Sequence, residues 1–263
     1  MKHWGWLFSV ISLTSLGVAC LVLSSCSTVT RTVSEPPQIE GAHFVGNKSC
    51  AECHTNIARS FPSSPHARFH SEDLKMAGQT GCESCHGAGS KHVEAGGGRR
   101  FIVNPGKNPE SCFQCHLQTH AEFRLPQHHP VIEIKMNCVQ CHDPHGADAL
   151  KPAAGLAMAR VNDSCAACHR EQTRPFIFEH EAMREGCITC HNPHGSVNRK
   201  MLVERDANLC LKCHAQVQGT GVAAGNIWIG KENHTPHLRK GGCWSAGCHN
   251  AVHGSNLNPH LRY

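Results

Sequence analysis

The chain has 263 residues, with 18 cysteines, 23 histidines and a formal charge of +5, but aromatic residues make up only 5% of it. This composition supplies too little apolar volume for an ordinary hydrophobic core of that size. The cysteine content excludes an ordinary cytosolic protein and leaves a disulfide scaffold, a zinc protein or a multihaem protein. The basic charge does not indicate nucleic-acid binding, because no basic patch is interleaved with aromatic residues.

The first 25 residues are predicted to be a lipoprotein signal peptide. An apolar run follows a lysine near the start, and the letters LSSC ending at Cys26 resemble a bacterial lipobox. We therefore expect lipidation of Cys26, export, and anchoring at the outer membrane on its periplasmic or cell-surface side. A plain cleaved signal and an uncleaved membrane anchor stay open as alternatives. Residues 26–46 are polar and contain two prolines, so they are expected to be a tether that leads to a domain at 47–263.

Sixteen cysteines lie in eight motifs in which a histidine directly follows the second cysteine. Seven are C-x-x-C-H, the pattern of covalent haem c attachment, in which both thiols bind the haem and the histidine binds its iron. The eighth, "CWSAGCH", has four residues between its cysteines. Zinc sites and disulfides give no reason for the histidine. We predict eight haem c groups attached through Cys50, Cys53, Cys82, Cys85, Cys112, Cys115, Cys138, Cys141, Cys165, Cys168, Cys187, Cys190, Cys210, Cys213, Cys243 and Cys248, with proximal ligands His54, His86, His116, His142, His169, His191, His214 and His249.

The eight motifs are of two alternating kinds. Four begin after a helix-capping residue and are predicted to open short helices, namely those preceded by Asn47, Asn108, Asn162 and Asp206. The other four follow residues typical of tight turns, namely Gly81, Asn137, Gly186 and Gly242. One motif of each kind makes a unit, and the unit occurs four times, at about 50–107, 108–161, 162–206 and 207–254. Such a repeat predicts an array rather than one folded core.

A second set of histidines recurs at equivalent places in the four units. Each unit has a pre-motif histidine before its second motif and a post-motif histidine after it. These eight are predicted to be the distal haem ligands: pre-motif His66, His129, His180 and His237, and post-motif His92, His145, His194 and His253. Alternatives stay open for three of them, with His70 in place of His66, His128 in place of His129 and His234 in place of His237. His43, His120 and His260 are expected to be spare, and a second hypothesis makes His260 a ligand across a subunit contact.

The stretch "CITCHNPHGS" places His194 three residues after His191. Three residues span at most about 10 Å, which is too short for both histidines to reach opposite faces of one haem. We therefore expect His194 to bind the iron of a neighbouring haem, so that the short link clamps two haems together. His142 with His145 repeats this arrangement.

The predicted fold is mostly irregular with short α-helices, and the haems stack as the core of an extended array. Two imidazoles on each iron leave no open coordination site, so only electrons move and no enzyme activity is expected. The alternative is an octahaem reductase of nitrite, hydroxylamine or tetrathionate with one open haem. No C-x-x-C-K motif marks such a haem, and the only tyrosine is the last residue.

The stretches "CVQCHDPHGA" and "CITCHNPHGS", each with an upstream histidine, resemble the doubled-CXXCH multihaem c-type cytochromes, in particular the periplasmic MtrA-type. The resemblance covers about residues 47–254. It implies a linear haem chain inside an outer-membrane porin barrel, which carries electrons between the periplasm and the cell surface in extracellular electron transfer. The implied partners are the porin, a surface cytochrome and other redox proteins. This chain departs from the family in having eight sites rather than ten and in its lipobox. A membrane-tethered relay and a subunit of a cytochrome filament therefore stay open beside the conduit.

Overall fold

A computed structural model describes residues 35–69, 81–146, 156–214, 225–229, 231–238, 240–244 and 247–262. The described residues belong to one unit, Glu35–Tyr263. The predicted signal peptide with Cys26, and the alternative ligand His70, lie outside them. Within the described ranges, no helix combines the length and the apolar character needed to cross a bilayer.

Secondary structure in the described residues consists of short helices separated by irregular backbone. The longest α-helix has 11 residues. In chain order the α-helices are α1 Asn47–Cys53, α2 Thr55–Ser60, α3 Cys82–His86, α4 Ser90–Glu94, α5 Glu110–Phe113, α6 Leu117–Glu122, α7 Leu156–Ala166, α8 Arg170–Thr173, α9 Ala207–Leu211 and α10 Thr235–Leu238. Single 3-10 turns lie at Phe61–Ser63, Pro65–Phe69, Arg99–Phe101, Pro105–Lys107, Cys138–Gln140, Glu181–Glu185, Cys187–Thr189 and Arg199–Met201.

Four two-residue strands complete the described fold: β1 Phe178–Glu179, β2 Trp228–Ile229, β3 Glu232–Asn233 and β4 Gly254–Ser255. β1 pairs with β4 in antiparallel register, with Phe178 opposite Ser255. β2 pairs with β3 in a hairpin. The β1–β4 ladder joins the third sequence unit to the fourth.

The apolar core of the described residues is small. Its buried hydrophobic side chains are Ala88, Phe113, Phe123, Val131, Val161 and Leu202. Phe113, Phe123 and Val131 form one cluster, with Met136 and Cys138 packed against it. The prediction of a mostly irregular chain with short helices is confirmed.

The first cysteine of the first motif in each unit lies in a helix, which agrees with the prediction of short helices at these motifs. The motif histidine then interrupts that helix in three units, because His54, His116 and His169 share one non-helical conformation with φ between −95° and −92°. A second short helix starts directly after each of them, at Thr55, Leu117 and Arg170. The backbone therefore turns at each of these motif histidines.

Two of the predicted helix caps have a different role. Asn47 lies inside α1, and its side chain accepts a hydrogen bond from the backbone N–H of Cys82 at 2.9 Å. Asn162 lies inside α7, and its side chain accepts from the N–H of Cys187 at 3.0 Å. The cap prediction was wrong for both, because each asparagine side chain instead accepts a hydrogen bond from the second motif of its own unit. Both residues therefore tie the two motifs of a unit together.

Candidate haem centres

The eight motifs share one backbone closure. In six of them the N–H of the motif histidine donates to the carbonyl of the first cysteine at 2.9–3.0 Å, and the seventh, Cys82–His86, forms α3. The wide motif closes in the same way, because the N–H of His249 donates to the carbonyl of Cys243 at 3.0 Å. With two additional residues, the wide motif thus keeps the hydrogen bond between the histidine and the first cysteine. Among the described residues, none of the sixteen motif cysteines forms a disulfide.

Seven motif histidines face a second histidine at nearly constant distance. The ring centres lie 6.0–6.2 Å apart in each pair, which are His54–His92, His66–His116, His86–His145, His129–His169, His142–His194, His180–His214 and His191–His253. Each pair joins one predicted proximal ligand to one predicted distal ligand. Seven of the eight predicted distal histidines are therefore brought to a motif histidine.

The spacing of these pairs fits a metal ion between the two rings. Two metal–imidazole bonds of about 2 Å each place the ring centres about 6 Å apart. Burial lowers the pKa of His86, His214 and His253, which favours the neutral imidazole that a metal binds. Hence the residues present fit a haem iron with an imidazole on each face.

The pairing follows a constant offset along the chain. The pre-motif histidine of each of the first three units faces the first-motif histidine of the next unit, as His129 faces His169. The post-motif histidine of each of the last three units faces the second-motif histidine of the preceding unit, as His194 faces His142. In the first unit, where no unit precedes, His54 faces His92. The offset thus interlocks neighbouring units.

The fourth unit differs from the others. His237 lies beside His234, with ring centres 6.2 Å apart and planes inclined by 69°. Among the described residues, no ring contact of this kind joins His249 to another histidine. Among the described rings, His237 thus meets His234 and not a motif histidine.

Backbone carbonyls orient many of these rings through Nδ1. The pre-motif rings donate to the carbonyl that precedes the post-motif histidine of the next unit, as in His66 to Pro144 (3.3 Å), His129 to Pro193 (2.7 Å) and His180 to Val252 (2.8 Å). Three second-motif rings donate to a carbonyl further along the chain, as in His86 to Val103 (2.9 Å), His191 to Lys200 (2.8 Å) and His249 to His260 (2.7 Å). Such bonds fix the tautomer that leaves Nε2 free for a metal.

The post-motif histidines are set by turns at an Asp or Asn. Asp143 accepts from the N–H of His145 at 2.9 Å, and Asn192 accepts from the N–H of His194 at 3.1 Å. The following Gly195 is required by packing, since a Cβ there would lie 2.0 Å from the carbonyl oxygen of Glu122.

Cysteines of successive motifs are neighbours in an alternating pattern. Within the first three units, the two first cysteines share a thiol hydrogen bond, which raises the pKa of Cys50, Cys112 and Cys165. In the fourth unit, burial and the charge of Cys243 raise the pKa of Cys210 to about 12. Between units, the second cysteines are close: burial, and then repulsion from Cys115, Cys168 and Cys213, raise the pKa of Cys85, Cys141 and Cys190 respectively. The motifs of one unit therefore contact each other through their first cysteines, and neighbouring units bring their second cysteines within electrostatic range of each other.

The three histidines without a predicted role have other contacts. The backbone of His43 exchanges hydrogen bonds with Ser90. The ring of His120 stacks on Phe113 with centres 4.4 Å apart. His260 supplies the carbonyl that holds His249. Sequence reasoning missed these supporting groups because a backbone carbonyl leaves no signal in the residue type.

Comparison with known proteins gives the same class as the motifs. A family model described as the doubled CXXCH motif matches residues 128–174 and 180–219. Seven C-x-x-C-H motifs, paired histidines and this match together define the class. The chain is a doubled-CXXCH multihaem c-type cytochrome, and it binds haem c.

Among curated proteins, the chain is similar to Multiheme cytochrome MtrA of Shewanella baltica (strain OS185), with 33% identity over 216 residues. The aligned region is 80% of this chain and 58% of that protein. It is also similar to C-type polyheme cytochrome OmcB of Geobacter sulfurreducens, with 27% identity over 191 residues, which are 62% of this chain and 24% of OmcB. The chain thus spans a little over half of MtrA and about a quarter of OmcB.

Proposed function

We propose that this cytochrome carries electrons along eight covalently attached haems, each bound by two histidines. The observation that carries the proposal is the set of seven histidine pairs with ring centres 6.0–6.2 Å apart, each containing one C-x-x-C-H histidine. Haem iron supplies one-electron exchange, and its potential follows the axial ligands, burial and nearby charge. With both axial positions taken by imidazole, the chain holds the iron closed to substrate.

The eighth haem is assigned to the wide motif, with His249 as proximal and His237 as distal ligand. The backbone closure of Cys243 with His249 supports attachment, since it matches that of the C-x-x-C-H motifs. The constant offset of the histidine pairs along the chain supports His249 and His237 as the two ligands of this haem. At the first unit the two histidines that lack a neighbouring unit, His54 and His92, face each other. His249 and His237 are the two that remain at the other end of the array.

The order of the haems follows the order of the motifs. Contacts between first cysteines link the two motifs of a unit, as between Cys50 and Cys82. Second cysteines of neighbouring units lie within electrostatic range of each other, as Cys85 and Cys115 do. Because thioether bonds would form at these sulfurs, haems held by successive motifs would be attached through neighbouring cysteines. Electrons therefore have one continuous path from the first motif to the eighth.

The proposed route lies between the periplasm and the cell surface. The lipobox ending at Cys26 supports export and anchoring at the outer membrane, and the likeness to MtrA over 80% of the chain supports a place in a porin-sheathed conduit. Its partners would be the barrel, a surface cytochrome and other redox proteins. We take extracellular electron transfer as the process served.

A reductase is the second candidate function, because of the fourth unit. If neither His237 nor His234 binds the iron held by His249, that haem keeps an open position where a small substrate binds. Nitrite, hydroxylamine or tetrathionate would then be the substrate class. Steady-state reduction of each substrate by the reduced protein, with a Cys243→Ser, Cys248→Ser control that lacks the eighth haem, distinguishes a carrier from an enzyme.

The conduit is tested in liposomes that enclose a reduced viologen dye. The full-length lipidated holoprotein is reconstituted with its candidate porin, and an impermeable ferric chelate is added outside. Dye oxidation that requires both proteins supports the conduit. Oxidation with the cytochrome alone would show that the porin is not required, and no oxidation in any vesicle, with the haems shown to be reducible, contradicts the conduit.

A further inference from the structure

We propose that Glu122 lowers the reduction potential of the haem attached at Cys138 and Cys141 by hydrogen bonding to His194. This proposal rests on the proposed function, in which His142 and His194 are the two axial ligands of that haem. Glu122 does not touch the iron in this scheme and acts through His194. It is therefore a positioning and tuning residue of one centre in the chain.

The contact is direct. His194 Nδ1 donates to the carboxylate of Glu122 across 3.0 Å, and both side chains are largely shielded, at 31% and 24% exposure. Glu122 is the last residue of α6. Its other carboxylate oxygen accepts a hydrogen bond from Gln118 at 3.3 Å. The carboxylate is thus held with one oxygen toward the ligand and the other toward its own helix.

The surroundings of His194 keep this geometry. The ring of Phe123, next to Glu122 and buried in the apolar cluster, lies 5.3 Å from the ring of His194. The N–H of His194 is held by Asn192. A Cβ on Gly195 would collide with the carbonyl of Glu122. The two segments therefore meet along their backbones, which brings Nδ1 to the carboxylate.

The other rings with a described Nδ1 partner in these pairs meet a neutral group. His66, His86, His92, His129, His180 and His191 all donate to backbone carbonyls, at 2.7–3.3 Å. A carboxylate acceptor pulls more strongly on the Nδ1 proton than a carbonyl does, so the ring becomes a more basic ligand. More basic imidazole and a nearby negative charge both favour ferric over ferrous iron. The haem between His142 and His194 is thus shifted to lower potential.

The direct test is Glu122→Gln in the full-length holoprotein, followed by spectroelectrochemical titration. Glutamine keeps an acceptor oxygen and removes the charge. We expect the potential of one one-electron component to rise by at least about 59 mV. For a one-electron couple, this is a tenfold change in the equilibrium constant. Haem content and the low-spin spectrum stay as in the wild type.

Glu133→Gln is the matched control. The Glu133 carboxylate also accepts from a histidine ring nitrogen, that of His128, at 3.0 Å, but His128 is not a ligand in the proposed scheme. In this variant, the equilibrium constant of every one-electron component is expected to stay within a few-fold of its wild-type value. An equal shift in both variants would overturn the proposal, since general charge removal would then explain it.

Two further variants keep the test decisive. If Glu122→Gln fails to accumulate, Glu122→Asp is used, because it retains the charge on a shorter side chain. Unchanged potentials in a folded Glu122→Asp protein would contradict a role for the hydrogen bond between Glu122 and His194. His194→Ala separates the two proposals. The tuning role alone is rejected if His194→Ala gives a new high-spin haem while Glu122→Gln leaves the potentials unchanged. The ligand assignment itself is rejected if His194→Ala gives no high-spin haem.

Discussion

The imidazole rings of His142 and His194 face each other with centres 6.1 Å apart, although 52 positions and one unit boundary separate them. His191, three residues before His194, faces His253 in the last unit instead. The short link between His191 and His194 therefore serves two different pairs. This geometry is what the spacing of "CITCHNPHGS" predicted, and it makes the chain segment a spacer between two proposed haems.

Replacing His194 by alanine should open the haem at Cys138 and Cys141, in the preceding unit, and leave the haem at Cys187 and Cys190 untouched. We expect one haem of the His194→Ala protein to become high-spin, because His142 would remain as the only imidazole on that iron. Low-temperature EPR of the oxidised protein measures this.

Deleting one attachment site at a time shows which haem has opened. In a Cys138→Ser, Cys141→Ser background the new signal should vanish, whereas in a Cys187→Ser, Cys190→Ser background it should persist. The reverse pattern would mean that His194 serves the motif in which it lies.

Glu83 should be essential for the fold around the first two motifs. Its side chain is 2% exposed and accepts hydrogen bonds from the N–H groups of Val45, Gly46 and Gly89 at 2.8–3.0 Å. Glu83→Ala leaves buried donors without a partner and is expected to cost roughly 3 kcal/mol of stability. Hydrogen exchange at these three amides and the denaturant midpoint measure the loss.

The exposed Glu52 in α1 provides a comparison for Glu83. Glu52→Ala should change stability by less than about 0.5 kcal/mol, as is usual for surface positions. Equal effects of the two substitutions would argue that the buried carboxylate contributes no more than a surface one.

The wide motif should carry a haem despite its four-residue spacer. The N–H of His249 donates to the carbonyl of Cys243, as the motif histidine does to the first cysteine in six of the other motifs. We expect the double variant Cys243→Ser, Cys248→Ser to lose the mass of one haem, with seven remaining by pyridine haemochrome. An unchanged mass would show that this motif is unoccupied in the wild-type protein.

The distal ligand of that eighth haem is predicted to be His237. The offset of the histidine pairs leaves His237 and His249 together at the end of the array, so His237→Ala should produce one high-spin haem. His234→Ala, in which the neighbour at 6.2 Å is removed, should keep every haem low-spin. The opposite result would assign the iron to His234.

The sequence predicts which histidines meet better than it predicts the groups that support them. Spacing alone identified the motif histidines and seven of the histidines that meet them, because haem attachment and ligation demand particular residue types at fixed places. The roles of Asn47 and Asn162 were not predictable in this way. An asparagine before a helix is typical of a cap, and only the folded chain brings Cys82 and Cys187 to these side chains.

The partner of each distal histidine also needed the structure. Equivalent positions in four units predict that His129 and His194 are ligands, but they do not predict which motif histidine each one meets. The offset arises because neighbouring units pack so that the carbonyl of Pro193 reaches His129. Similarly, Glu122 lies 72 positions from His194 and carries no motif, so no sequence signal linked the two.

The most direct test of the central proposal is low-temperature EPR of the oxidised holoprotein, with haem counted by pyridine haemochrome. Eight haems per chain, all low-spin, are predicted, because two imidazoles would hold each iron. The nearly perpendicular rings of His66 and His116, inclined by 87°, should give a more anisotropic signal than the nearly parallel His54 and His92, inclined by 13°. A high-spin signal that integrates to one or more haems per chain would contradict the proposal that two imidazoles hold every iron. It would favour the reductase instead.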